Sequence, residues 1–239
     1  MRRLLPILVI AVLMSACGKP DKDLPIHFSI LGDSYSTFQG YLEPDTNEYW
    51  QHYAEIGVTG VEQMWWFQVA DSMDWVMERN NSYSGSLICN FQEFDGGDHY
   101  GPNSFLRRLD NLGNPNVIFI FGGTNDMWQN APFGDYEFSN WNEEQLCAFR
   151  PALACLFYNI KRLYPYAHLY FLLETDPCPG GITEEARQCL VESSHRIASH
   201  YGVDVIDLTI HKDWWHPDAE GQADIARQVL EVIGMDFNA

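Results

Sequence analysis

Two spacings of apolar residues take turns along the chain. Residues 27–31, 75–78, 117–121, 168–173 and 203–206 are short, mostly apolar runs, as strands buried on both faces are. The run at 117–121, Val-Ile-Phe-Ile-Phe, is the clearest, and it ends at Gly122-Gly123. Between the runs, apolar residues recur every three or four positions, as on one side of a helix. Trp65, Val69 and Met73 mark such a face over 61–73, and 105–112 predicts a short helix. Leu146, Phe149, Leu153, Phe157, Ile160 and Leu163 mark a longer one. Asn140 and Glu143 stand at capping-box spacing ahead of it, and Pro151 is expected to kink or restart it. Thr183 is placed to cap a helix with the face Leu190, Ser194, Ile197 and Tyr201, and with Glu184 and Glu185 at its positive end. Residues 218–233 predict a closing helix. Residues 91–104 and 127–142 carry neither spacing and are expected to be long loops.

Strand and helix alternate, which predicts an α/β fold: a three-layer α/β/α sandwich around a mostly parallel central sheet of about five strands. Ligands bind such sheets at the carboxyl ends of the strands. A hydrophobic fraction of 46% in 239 residues supplies one sizeable core and excludes a disordered chain. The first residues stand apart from it. Arg2 and Arg3 precede an apolar run over 4–14, and Ser15, Ala16 and Cys17 follow. This is the order of a bacterial secretion signal, too short to span a membrane. Its small-small-Cys ending resembles a lipobox, in which Cys17 carries lipid; the alternative is an ordinary cleaved signal peptide. The expected organisation is a signal peptide over 1–16, a polar tether over 17–25 and one domain over 26–236. The protein is expected to be exported to the cell envelope and anchored to a membrane through its lipid.

Removing 1–16 takes away Arg2 and Arg3 and no acid, which moves the net charge from −19 to −21. Such a body repels phosphate backbones, so nucleic acid is not an expected partner. Five cysteines remain after Cys17: Cys89, Cys147, Cys155, Cys178 and Cys189. Export permits disulfides, and Cys178 with Cys189 brackets a short loop that can close. Cys147 and Cys155, on one continuous helix, would stand about 12 Å apart, beyond disulfide reach. No Cys/His spacing points to zinc.

Four polar motifs follow predicted strands or precede the last helix. They are Gly32-Asp33-Ser34-Tyr35-Ser36, Asn80-Asn81-Ser82-Tyr83-Ser84-Gly85, Gly123-Thr124-Asn125-Asp126 and Asp213-Trp214-Trp215-His216-Pro217. Taken singly, each is an ordinary turn. A serine at a strand end can project into a cleft. A glycine allows close backbone approach, an asparagine can donate to a developing oxyanion, and a carboxylate three residues from a histidine can orient it. Asp126 is expected to fix its loop.

In this order the four motifs resemble those of the SGNH, or GDSL, hydrolases, over nearly the whole chain after residue 16. Ser34, Gly85, Asn125 and His216 match the four namesake residues, Asp213 matches the Asp-x-x-His block, and Tyr35 stands where the family has Leu. The resemblance implies a flavodoxin-like sheet and an esterase that works through an acyl-enzyme. Ser34, Asp213 and His216 would form the triad. The N–H groups of Ser34 and Gly85 and the amide of Asn125 would form the oxyanion hole, with no metal or organic cofactor. An unperturbed imidazole titrates near pH ~6.5, so activity is expected to fall in mild acid. Trp128, Trp214 and Trp215 beside these motifs suit stacking on a sugar face, which makes an O-acylated glycan or similar small ester the expected substrate. A lipase or thioesterase for longer acyl chains, and a glycan-binding lipoprotein without activity, are the alternatives. His211, Asp213 and His216 are also metal-ligand types within six residues, a rival that leaves the other three motifs unexplained. The remaining histidines, His27, His52 and His99 among them, read as structural or surface residues. Oligomeric state is not legible.

Overall fold

The computed structural model describes residues 24–91, 103–176, 182–213 and 215–237. Five strands, β1 (His27–Gly32), β2 (Val76–Ser82), β3 (Val117–Phe121), β4 (His168–Glu174) and β5 (Asp204–Leu208), pair in parallel in the order β2-β1-β3-β4-β5. This is the flavodoxin-like order, and its switch point lies where the chain leaves β1 and β3 in opposite directions. A two-stranded antiparallel ribbon, β6 (Lys212–Asp213) with β7 (His216–Pro217), follows β5.

Alternation along the buried strands splits the core in two. Ile118, Ile120, Leu169, Phe171 and Leu173 face α2 (Phe105–Arg108), α4 (Phe149–Leu163) and α5 (Glu184–Tyr201). Val117, Phe119, Phe121, Tyr170 and Leu172 face α1 (Trp65–Met73) and α6 (Ala219–Phe237). Phe119 is fully buried amid Phe28, Trp65, Trp75 and Tyr170. The expected three-layer architecture is therefore present, with each side chain of β3 committed to one layer. No described helix is long and apolar enough to cross a membrane.

Several local expectations change. The first predicted helix begins only at Trp65, because Met64 is extended between it and a 3₁₀ turn at Val61–Gln63. Gln222, fully buried on α6, supplies the missing cap by accepting from Trp65 N at 2.9 Å. β2 continues through Asn80, Asn81 and Ser82, read from sequence as a turn. Pairing with Ile30, Leu31 and Gly32 overrides their weak strand propensity, and the Asn side chains find carbonyls at Ser36, Arg108 and Asn111. Thr124–Trp128 forms a short helix, α3, ahead of the loop expected from 127. The capping box lies at Asn142 and Gln145, which exchange two 2.9 Å bonds, rather than at Asn140 and Glu143. Of the two outcomes expected of Pro151, the restart holds and the kink does not: α4 begins at Phe149, after the 3₁₀ turn at Gln145–Cys147. Pro151 occupies the first turn of α4, where its missing N–H costs nothing, and Leu146 stays outside in the 3₁₀ turn. Thr183 caps α5 as expected, accepting from Ala186 N at 3.1 Å. Cys89, Cys147, Cys155 and Cys189 form no disulfide with one another, while Cys17, Cys178 and His99 lie outside the described residues.

Gly221, in the first turn of α6, fixes where the ribbon meets the helix. A Cβ there would stand 1.8 Å from the carbonyl oxygen of His211 and 3.0 Å from Pro217 Cβ. Backbone cannot yield as a side-chain tip does, so Gly221→Ala is expected to destabilise the protein by about 1–3 kcal/mol. Denaturant unfolding checks this; an unchanged midpoint would refute the close approach.

Candidate active site

Ser34 opens a 3₁₀ turn, Ser34–Ser36, directly after β1. Asp33 caps the turn and accepts from Tyr35 N at 3.0 Å. The Ser34 carbonyl accepts from Tyr53 Oη at 2.5 Å and from Thr37 Oγ1 at 3.0 Å, so the backbone carrying the hydroxyl is clamped. His216 stands on β7 with Nε2 3.0 Å from Ser34 Oγ. The imidazole lies flat against the Trp50 ring, centroids 3.7 Å apart at 12°, and meets the edge of Tyr35 at 5.5 Å. Tyr35 fits well in place of the namesake Leu: it packs on Phe121, and its hydroxyl donates to Trp215 O at 2.8 Å, holding the residue before His216. Asp213 pairs backbone-to-backbone opposite His216 across the ribbon; its side chain and Trp214 lie outside the described residues. His211 turns to Asp218 at 3.1 Å.

Three donors line the cavity at Ser34. The N–H groups of Ser34 and Gly85 have no hydrogen-bond partner among the described residues. Gly85 has φ 76°, a conformation that favours glycine. Asn125, on α3, reaches the same cavity, its amide donating to Ser86 O at 3.1 Å and Asp33 Oδ2 at 3.3 Å. Asp126, on α3 rather than in a loop, ties that helix to the segment after β2 by accepting from the N–H groups of Ile88 and Cys89. The four motifs thus converge at the carboxyl ends of β1, β2 and β3.

The family profile of the GDSL-like lipases and acylhydrolases matches residues 26–233. The chain belongs to the GDSL-like lipase/acylhydrolase family. It is accordingly an ester hydrolase of the SGNH type. A search of curated proteins gives no significant match. Among solved structures, a GDSL-like protein from Bacteroides ovatus is 39% identical, with TM-score 0.79 over 89% of this chain and 99% of that one. Another from Bacteroides uniformis is 38% identical, with TM-score 0.79 over 88% and 96%. A carbohydrate acetylesterase family member from Sinorhizobium meliloti, 15% identical, shares the fold at TM-score 0.61, over 90% of this chain and all of that one.

In this GDSL-family site two spaces meet. A cavity of ≈ 210 Å³ holds Ser34, Gly85 and Asn125 together with Thr124, Ile182 and Lys212. An adjoining trench of ≈ 500 Å³ is bounded by Trp50, His52, Glu55 and Ile56. Trp50, Trp128, Trp215 and His216 border both, the indoles of Trp128 and Trp215 stacked at 4.8 Å. Trp65 and Trp66 are core residues instead, their indole N–H groups bonded to Ser36. Sequence reasoning missed Trp50, Tyr53, Arg108, Glu174 and Lys212 and undervalued His52. Of these only Glu174 left a trace, as an acid ending an apolar strand.

The site is rich in charges taken out of water. Burial, with the Lys212 ammonium and His52 adding to it, pushes His216 down to about 3. The imidazole is therefore neutral well below the mild acid expected from sequence. Arg108 is buried, bonding Gly32 O at 3.1 Å, Ser86 Oγ at 2.8 Å and Asn81 O, and burial lowers it to about 9. Asp33 is raised to about 7, chiefly by burial; the Tyr35 N–H and the Arg108 cation oppose this, and Asp126 adds to it.

A carboxyl whose folded pKa lies above its unfolded 3.8 holds its proton more tightly in the fold. Its contribution to stability is full below that value and is lost as pH rises toward about 7. Asp33→Asn removes the loss. Its melting temperature relative to the parent should climb between pH 4 and pH 7 and level off above, and parallel curves would contradict the buried charge.

Proposed function

We propose that this chain is a serine esterase that removes acetyl or similarly small acyl groups from a carbohydrate. The observation that carries this reading is the 3.0 Å approach of His216 Nε2 to Ser34 Oγ inside a cavity that Gly85 and Asn125 also line. His216, neutral with its proton on Nδ1, takes the hydroxyl proton as Ser34 Oγ attacks the ester carbonyl. The N–H groups of Ser34 and Gly85 and the Asn125 amide hold the oxyanion. Asp213 orients the imidazole and steadies its protonated form. His216 then protonates the leaving alcohol, and water, deprotonated in turn by His216, releases the acyl group.

The division of space supports the substrate class. The alcohol must lie beside His216 to receive its proton, and there the trench offers tryptophan faces with His52 and Glu55, which are hydrogen-bonded at 2.8 Å. Aromatic faces with polar groups at the rim suit a sugar ring. The small cavity is left for the acyl group. Export and lipid attachment at Cys17 belong to the same proposal, on the strength of residues 1–17.

Ser34→Ala should abolish hydrolysis of acetylated sugars and nitrophenyl acetate; near-parental turnover would overturn the serine route. Asn125→Ala should lower kcat roughly 10²-fold or more, measured under saturating substrate. The acid limb of kcat/KM should lie below the ordinary imidazole value of about 6.5, because protonation is opposed by burial. It should stay in place in Asp33→Asn, which assigns it to His216; a limb that moves with that change belongs to the carboxyl.

A further inference from the structure

The acyl cavity contains a feature the proposed steps do not use. Lys212, on β6, forms an ion pair with Glu174 at the carboxyl end of β4; the two side chains are 7% and 2% exposed. Thr124, at the start of α3, donates to the other Glu174 oxygen at 3.1 Å. Thr124 and Lys212 line the small cavity and not the trench. If the alcohol occupies the trench and the carbonyl oxygen the three donors, the acyl substituent is directed onto these residues and Ile182.

On the esterase reading above, we propose that the Thr124–Glu174–Lys212 chain is the specificity-determining wall of the acyl pocket and restricts it to acetyl-sized groups. A buried ion pair cannot turn away to make room, since separating either partner leaves an unpaired charge. An alkyl chain laid against it would strip the ammonium of remaining water and return no hydrogen bond. A methyl group ends before that contact is made. Both charges sit on elements that also carry the site, β4 beside β3 and β6 opposite His216, so the wall is held in register with the nucleophile.

The test is a series of nitrophenyl esters, acetate, butyrate and octanoate, on the full chain. The parent should lose at least about tenfold in kcat/KM from acetate to octanoate. Glu174→Gln with Lys212→Met removes both charges while keeping the volume, and should shrink that ratio by about tenfold. Thr124→Val, which leaves the ion pair intact, should shift the ratio the same way by less. A parent that cleaves octanoate as well as acetate overturns the proposal. So does an unchanged ratio in the double variant when its circular dichroism and melting match the parent, or an unchanged ratio in Thr124→Val if the double variant does not fold. Ser34→Ala separates the two readings: esterolysis that depends on Ser34 but ignores the wall sinks only the wall.

Discussion

The approach of Ser34 Oγ to His216 Nε2 joins positions 182 residues apart, and most of the local architecture serves to hold it. The serine side is fixed from behind, through a carbonyl clamped by Tyr53 and Thr37 and a turn capped by Asp33. The histidine side is fixed through the ribbon, by Tyr35 on the Trp215 carbonyl and by the close packing of Gly221 under His211. Gln222 links the two, bonding the start of α1 and the Tyr35 carbonyl from the first turns of α6. A contact of this kind needs its two ends placed to a fraction of an ångström. Short turns tied to strand ends provide that; free loops do not.

The same packing makes the site electrostatically costly. Asp33, Arg108, Glu174 and Lys212 are all taken out of water, Asp33 beside Ser34 in the chain and Glu174 paired with Lys212 of the ribbon. Arg108 spends its donors on backbone carbonyls and Ser86, binding the ends of β1 and β2 together. A protonated His216 is disfavoured by burial and by Lys212, yet the acyl transfer proposed above requires it transiently. Trp50 answers part of that need, since an imidazolium stacked on an indole face gains a cation–π attraction that neutral imidazole does not. The neutral base is thus favoured at rest, and the charged form is stabilised where it is made.

The sheet was legible because its strands are buried on both faces and read as apolar runs; β3 was predicted with its observed ends. The four motifs were legible because each sits at a strand end or helix start, where sequence neighbours are also neighbours in space. What escaped follows from the same logic. Asn80, Asn81 and Ser82 read as a turn, since their strand character comes from pairing with β1 and not from their own preference. Trp50 sits in a stretch, 37–60, without periodicity, and meets His216 only through the fold. Lys212 and Glu174 are 38 positions apart, and nothing local marks either as the other's partner. The imidazole pKa expected of an unperturbed histidine is also lowered in the fold, because burial is a property of the packed chain.

The division of the site into a tight cavity and a wide trench follows from which elements build each. The cavity is made mainly of strand ends and short helices, with Ser34 after β1, Asn125 on α3 after β3, and Lys212 on β6 paired with Glu174 at the end of β4. The strand ends among them are tied into the central sheet by its hydrogen bonds, so that side of the space is hard to enlarge. The trench is walled by His52, Glu55 and Ile56, from the long connection between β1 and α1, and by Trp50 and the exposed ring of Trp128, which it shares with the cavity. Connecting segments tolerate substitution and insertion far better than strand ends do. On the proposed reading, recognition of the alcohol can therefore vary while the acyl side and the oxyanion donors stay fixed, and a single scaffold can keep one reaction while changing the body of its substrate.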